Sequence, residues 1–219
     1  MFRKFLRIHK WQRGITGLET AIILIAFVVV AAVFAYTALS AGLFSTQKGQ
    51  EAVYAGLKEA QSTLELKGAV IATANESGSN GRVQQISFNI ANVLGGEAID
   101  FTLPTDPASA TGQTNATTTN NKVVIKYIDQ VQTVNDLWWT VTKLGNCDDD
   151  YLLENNETFK ITVGGPTEDT IPGNLLDALD GNELNVNTEF SLVIQTPVGA
   201  ILEIERTIPP YIDEIMNLR

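Results

Sequence analysis

Residues able to do chemistry are few in this chain. The densest group is Cys147-Asp148-Asp149-Asp150, with Glu154 close behind. Carboxylates on a turn suit a hard cation such as Ca²⁺, which takes oxygen ligands. The spacing matches no EF-hand loop, however, and consecutive residues on a strand or turn point in different directions. A solvated acidic turn is therefore the preferred reading; Asp148, Asp149 and Asp150 are weak metal candidates, and no metal or other cofactor is expected. Three Asn-X-Ser/Thr sequons, at Asn75-Glu-Ser77, Asn115-Ala-Thr117 and Asn156-Glu-Thr158, are candidate N-glycan acceptors in an exported chain. Asn115 stands first among them because it lies in the Thr/Asn-rich stretch 104–121. With Cys147 as the one cysteine, no intrachain disulfide is available. The one histidine, His9, sits in a basic leader. Loss of that leader would leave no imidazole, which excludes Ser-His and Cys-His nucleophiles and zinc sites that need His. This balance points away from enzymes.

Glu19 is the other notable carboxylate, because it heads an apolar run. From Thr20 to Gln47 there is no charged residue, and Ala21 to Ala35 is apolar without a break. About 20 such residues cross a bilayer. A carboxylate near the bilayer centre costs about 2.5–3.5 kcal/mol, so Glu19 needs a partner or a border position. Residues 1–14, MFRKFLRIHKWQRG, carry Arg3, Lys4, Arg7, Lys10 and Arg13 and no acid, which keeps this end cytoplasmic and the remainder outside. In a general secretory signal the cleavage site follows the apolar core. Here Arg13-Gly14 precede it, so cleavage after Gly14 would leave the apolar segment as the mature N-terminus. An uncleaved signal anchor accounts for the same charges. After such cleavage the amino group of Ile15 would lie about one helical turn from Glu19. Glu19 would then pair with it, or with a neighbour's terminus, and set axial register; the alternative is an interfacial residue favoured by the helix dipole.

The elements that position these residues are a helix and a strand-rich body. Residues 15–67 read as one helix, hydrophobic and then amphipathic, with small residues (Ala21, Ala26, Ala31, Ala32, Ala35, Ala38, Ala41, Gly42) scattered along it and a stripe Val53, Leu57, Ala60, Leu64 near its end. Gly68 is the expected stop. Some 50 helical residues span roughly 75 Å, more than twice a bilayer core, so the helix must also lie against something outside the membrane. Residues 68–219 read as an outer domain of seven or eight short strands, at 69–74, 83–92, 97–103, 122–129, 137–144, 158–164, 189–195 and 200–207, with a helical turn at Leu175–Leu179. The fold class is α+β, a long hydrophobic helix followed by an all-β, immunoglobulin-like sandwich. The tail after Pro210 has no assigned role. The whole chain carries 15 basic and 25 acidic residues; without the five bases of the leader, 10 remain against 25, a charge of −15. Such a body repels nucleic acid and anionic membrane surfaces.

Arg13-Gly14-Ile15-Thr16-Gly17-Leu18-Glu19, followed by AIILIAFVVVAAVFAYTALSAG, resembles the class III signal peptide and core helix of archaeal flagellins (archaellins), a plan shared with type IV pilins. The segments Trp138-Trp139-Thr-Val-Thr, Leu152 to Val163 and Thr196 to Pro209 look like the archaellin sandwich strands and closing hairpin. The resemblance implies cleavage between Gly14 and Ile15 by a prepilin-type signal peptidase, with Gly17 matching the glycine usual near that site and Glu19 the glutamate widely found fifth in mature pilins. It further implies a precursor inserted transiently in the cytoplasmic membrane, an assembly ATPase and a membrane platform protein, and copies of the chain polymerised into an extracellular, rotating swimming filament. An archaeal adhesive type IV pilin is the nearest alternative. A membrane-anchored binding or enzymatic domain is a third, disfavoured by the missing histidine and the lack of a convergent polar motif.

Overall fold

A computed structural model describes residues 12–93, 96–105, 111–114, 120–165, 175–179 and 181–218, with side chains from Gly17 onward. Two compact units divide it, the first ending at Ala55 and the second running from Gly56 to Arg219. The described residues of the first are all helical. Helix α1 spans Gln12–Gln61, 50 residues, and its unbroken apolar run contains no proline and nothing that competes with the backbone.

The helix ends at Gln61 rather than Lys67, because the residues from Leu64 onward are taken up in strand pairing and Ser62 and Thr63 close the last turn. The Ser62 N–H and hydroxyl both donate to the Lys58 carbonyl at 3.0 Å, and the Thr63 hydroxyl donates to the Glu59 carbonyl at 3.3 Å. The Lys58 carbonyl thus keeps its helical N–H and gains a hydroxyl, while the Thr63 hydroxyl serves the Glu59 carbonyl at the last turn. Leu64 and Leu66, which fit a helical stripe, instead open strand β1 (Leu64–Glu76), pairing with Asn92 and Ile90 of β2 (Arg82–Asn92). Gly68 is therefore not a helix stop. Between Lys67 and Ile71 the register of β1 slips against β2, and Gly68 takes φ +84° there. A bulge of this kind needs a left-handed residue, which glycine supplies without a Cβ clash.

The remaining strands are β3 (Ile99–Asp100), β4 (Val124–Asp129), β5 (Thr133–Val134), β6 (Trp139–Leu144), β7 (Leu152–Leu153), β8 (Thr158–Val163), β9 (Glu189–Gln195), β10 (Leu202–Thr207) and β11 (Ile215–Leu218), with helix α2 at Leu175–Leu179. They form a five-stranded sheet in the order β11-β1-β2-β8-β6, a four-stranded sheet β10-β9-β4-β5 and a small pair β3-β7, with every pairing antiparallel. Alternation decides the faces. Ile86, Phe88 and Ile90 of β2 and Phe159, Ile161 and Val163 of β8 meet Ile125 and Tyr127 of β4 and Phe190, Leu192 and Ile194 of β9 in one core. Phe101 stands edge-on to Trp139 and Phe159, each with ring centroids 6.0 Å apart, while Tyr127 stacks on Phe190.

The tail after Pro210 acquires a role. Strand β11 lies antiparallel on β1, with Val70 opposite Leu218 and Ala72 opposite Met216. Gly78 and Ile212 exchange two backbone hydrogen bonds, at 2.8 and 3.0 Å. Ile212, Met216 and Leu218 are buried. The tail covers an edge that β1 would otherwise present to solvent.

Candidate assembly interface

Along α1 every described side chain is exposed, from Gly17 to Gln61. That includes Ile22, Ile23, Leu24, Ile25, Phe27 and Phe34. Apolar surface on this scale is strongly driven out of water, and this helix is long and apolar enough to cross a membrane by length and composition. Two hydroxyls within it are satisfied internally, Thr37 donating to the Phe34 carbonyl at 3.0 Å and Thr46 to the Gly42 carbonyl at 2.6 Å. These two groups can therefore enter an apolar medium without an unmet hydrogen bond.

Glycines 17, 42, 49 and 56 sit where an added Cβ would meet nothing within 4 Å. Each costs the helix about 1 kcal/mol relative to alanine, and among the described residues nothing packs against them. They leave open backbone along α1, of the kind that allows a second helix to approach closely. Glu19 is exposed. With the backbone already helical at Gln12, Glu19 lies beyond the first turn of α1, where the helix dipole is mostly spent. Arg13, Gly14 and Ile15 lie on the helical backbone, their side chains outside the described residues, and residues 1–11 lie outside them altogether.

The root of the helix is built by glycines. A Cβ on Gly199 (φ +114°) would fall 2.0 Å from the Ser62 carbonyl oxygen, and one on Gly96 would fall 2.4 Å from that of Gln61. Only glycine permits these approaches. Beside them Lys58 pairs with Glu97 at 3.3 Å, and buried Asn92 donates to the Glu97 carbonyl at 2.6 Å. A cleft of about 180 Å³ opens here between Lys58 and Ser62, residues 97–100, and Pro197 and Val198.

The other predicted positions are scattered. Asn75 lies within β1 rather than in a turn, exposed near the strand's end. Asn156 occupies the exposed turn before β8 with φ +70°, while Asn115 falls outside the described residues. The acidic turn is held by its own carboxylates. Asp148 Oδ1 accepts the Asp150 N–H at 3.0 Å and Asp150 Oδ1 accepts the Leu152 N–H at 2.8 Å. Among the described residues no group of three or more His, Cys, Asp or Glu is arranged to hold a metal ion.

Two carboxylates that the sequence does not single out are better placed. Glu157, only 7% exposed, receives the N–H groups of Asp148 and Glu154 at 3.1 and 3.0 Å and so ties down the whole turn. Asp129 receives the N–H groups of Val131 and Gln132, both at 2.7 Å, and shapes the β4–β5 hairpin. Burial pushes the Asp129 carboxyl up, but these hydrogen bonds outweigh it and hold the group below the usual carboxylate range. An Asp two residues before its donors is a legible turn signal; nothing local marks Glu157, whose role exists only once the loop folds over it.

Comparison with known proteins agrees with this geometry. The family model for archaeal-type flagellin matches residues 14–206. The chain is 34% identical to probable flagellin 1 of Archaeoglobus fulgidus, across 97% of this chain and 98% of that one, and 36% identical to probable flagellin 2 of the same organism, across 93% of each. Among solved structures it resembles a chain of the archaeal flagellum of Methanospirillum hungatei strain JF1 (TM-score 0.60, 29% identity), covering 92% of this chain and 98% of that one. Archaeal flagellin FlaB1 of Methanocaldococcus jannaschii shares the fold at 12% identity, with a TM-score of 0.50 over 71% of this chain and 95% of that one.

Proposed function

The chain belongs to the archaeal-type flagellin family, and on that premise we propose the route by which it becomes a subunit of the extracellular swimming filament. A prepilin-type signal peptidase cuts between Gly14 and Ile15 and removes the basic leader. The new N-terminal helix waits in the cytoplasmic membrane, then passes into a helical polymer of its own kind, driven by an assembly ATPase on a membrane platform protein. The sandwich faces outward, with Asn75, Asn115 and Asn156 as acceptors for N-glycans.

The observation that carries this reading is the wholly exposed apolar surface of α1 in a chain similar along 92% of its length to a flagellum chain. Insertion stores the helix favourably. The eleven Leu, Ile, Phe and Val between residues 20 and 39 contribute about 3–7 kcal/mol together. Lipid is as apolar as a helix bundle, so transfer into the filament gains little from the hydrophobic effect and depends on packing. That is why an external source of work is needed and why α1 carries glycines at a cost to itself. N-terminal sequencing of shed filaments tests the first step, with Ile15 expected and any other residue overturning the scheme. A deletion strain should lose both the filaments seen by electron microscopy and swimming; loss of adhesion with swimming intact would contradict the motility role.

A further inference from the structure

We propose that the tip of the β9–β10 hairpin is a second polymerisation contact, docking on the α1 stretch 52–57 of a second copy of this chain; the proposal rests on the helix-driven assembly above. The tip reads Thr196-Pro197-Val198-Gly199-Ala200-Ile201 and carries no charge. Hairpin loops are ordinarily polar, built from Asn, Asp and Gly. This one leaves Val198 42% and Ile201 59% exposed. Its conformation is also fixed. Gly199 in the left-handed region lies against the Ser62 carbonyl, and Thr196 donates its hydroxyl to the Val198 carbonyl at 2.8 Å. The apolar tip is thus packed at the root of α1, with Val198 lining the same cleft as Lys58. A rigid apolar patch is the kind of surface that binds at low ordering cost.

The occupant follows from continuity and charge. The tip adjoins the end of α1, whose described side chains are all exposed, in a chain similar to a flagellum chain, and the helix of a second copy is therefore the proposed occupant. On that helix, Ala52-Val53-Tyr54-Ala55-Gly56-Leu57 lies between Glu51 and Lys58 and holds no charge. It leaves Val53 70% and Tyr54 69% exposed. Neither surface carries a charge into the contact, whereas most of the acidic body would bring repulsion. The contact is heterologous, joining hairpin to helix, and a heterologous contact that does not close on itself propagates a filament.

The test uses the full-length mature chain, purified in detergent and polymerised. Val198→Asp with Ile201→Asp places two charges on exposed positions and spares Gly199. Its thermal melt in detergent should match wild type, while the sedimentable filament falls about tenfold or more, equivalent to about 1.4 kcal/mol. In a Cys147→Ser background, Val198→Cys with Tyr54→Cys should give a disulfide-linked ladder in filaments that neither single cysteine gives. Normal filament yield from the aspartate pair, with no ladder from the cysteine pair, overturns the hairpin contact. Ala35→Leu, which stays apolar and so keeps membrane insertion, separates this from the parent reading. If it abolishes filaments while the aspartate pair leaves them intact, only the hairpin proposal fails. If it polymerises normally, helix-driven assembly fails as well.

Discussion

At the scale of single residues, carboxylates do different work according to what they face. Asp129 binds two backbone N–H groups in its ionised form, so its folded pKa is depressed below the unfolded value. A depressed carboxyl contributes stability above its unfolded pKa, near 3.9, and loses it as pH falls through the folded value. Asp129→Ala should therefore lower unfolding free energy by about 1 kcal/mol at pH 7, a figure kept small because the site is partly exposed. The gap from wild type should narrow below about pH 4 in denaturant titrations. A gap that is constant from pH 7 to 3 would refute the ionised-acceptor role. Glu19 acts, if cleavage follows Gly14, within about one turn of a new positive charge. Glu19→Gln keeps its shape and removes the charge, and Glu19→Ala removes both; each should reduce filament yield several-fold while leaving membrane insertion intact. Normal filaments from both variants would eliminate axial register as its function.

At the scale of elements, the ends of α1 and β1 matter most. Helix and strand compete for Leu64-Glu65-Leu66, which satisfies either period, and pairing with Asn92, Ala91 and Ile90 of β2 takes it for the strand while the Ser62 and Thr63 hydroxyls bond the Lys58 and Glu59 carbonyls. The tail strand β11 is stabilising through burial rather than propensity. Met216→Ala with Leu218→Ala deletes two buried side chains on β1's open side, at about 2–5 kcal/mol each. Thermal unfolding of the outer domain should shift down by about 2–4 °C per kcal/mol lost, with hydrogen exchange rising first at residues 70–73. An unchanged melt would mean the tail is dispensable to the fold.

For the molecule as a whole, the charge of −15 that remains once the basic residues of the proposed leader are set aside works against crowding copies together. The Debye length grows from about 8 Å at 0.15 M salt to about 30 Å at 0.01 M, so repulsion between neighbours rises on dilution. Filaments moved to 0.01 M monovalent salt should show a higher critical concentration by sedimentation, and insensitivity to salt would mean the acidic surfaces stay far apart. Much of this organisation is written locally. The leader's charges, the apolar run, the alternation in β2 and β8 and the hairpin motif are all patterns of neighbouring residues, and solvent acts on them wherever the chain goes. The end of α1, the bulge at Gly68, the pairing of β11 with β1, and the roles of Gly96 and Gly199 are set by partners far along the chain, and Glu157 acts only once the loop before it closes. Glu157 is an ordinary surface residue until a loop closes over it, and Gly199 an ordinary turn glycine until Ser62 arrives 2.0 Å from where its Cβ would stand. Local pattern determined a membrane-length helix bearing an acidic β domain, whereas only tertiary structure decided where the helix stops and what holds its root, because those depend on contacts that no window of sequence contains.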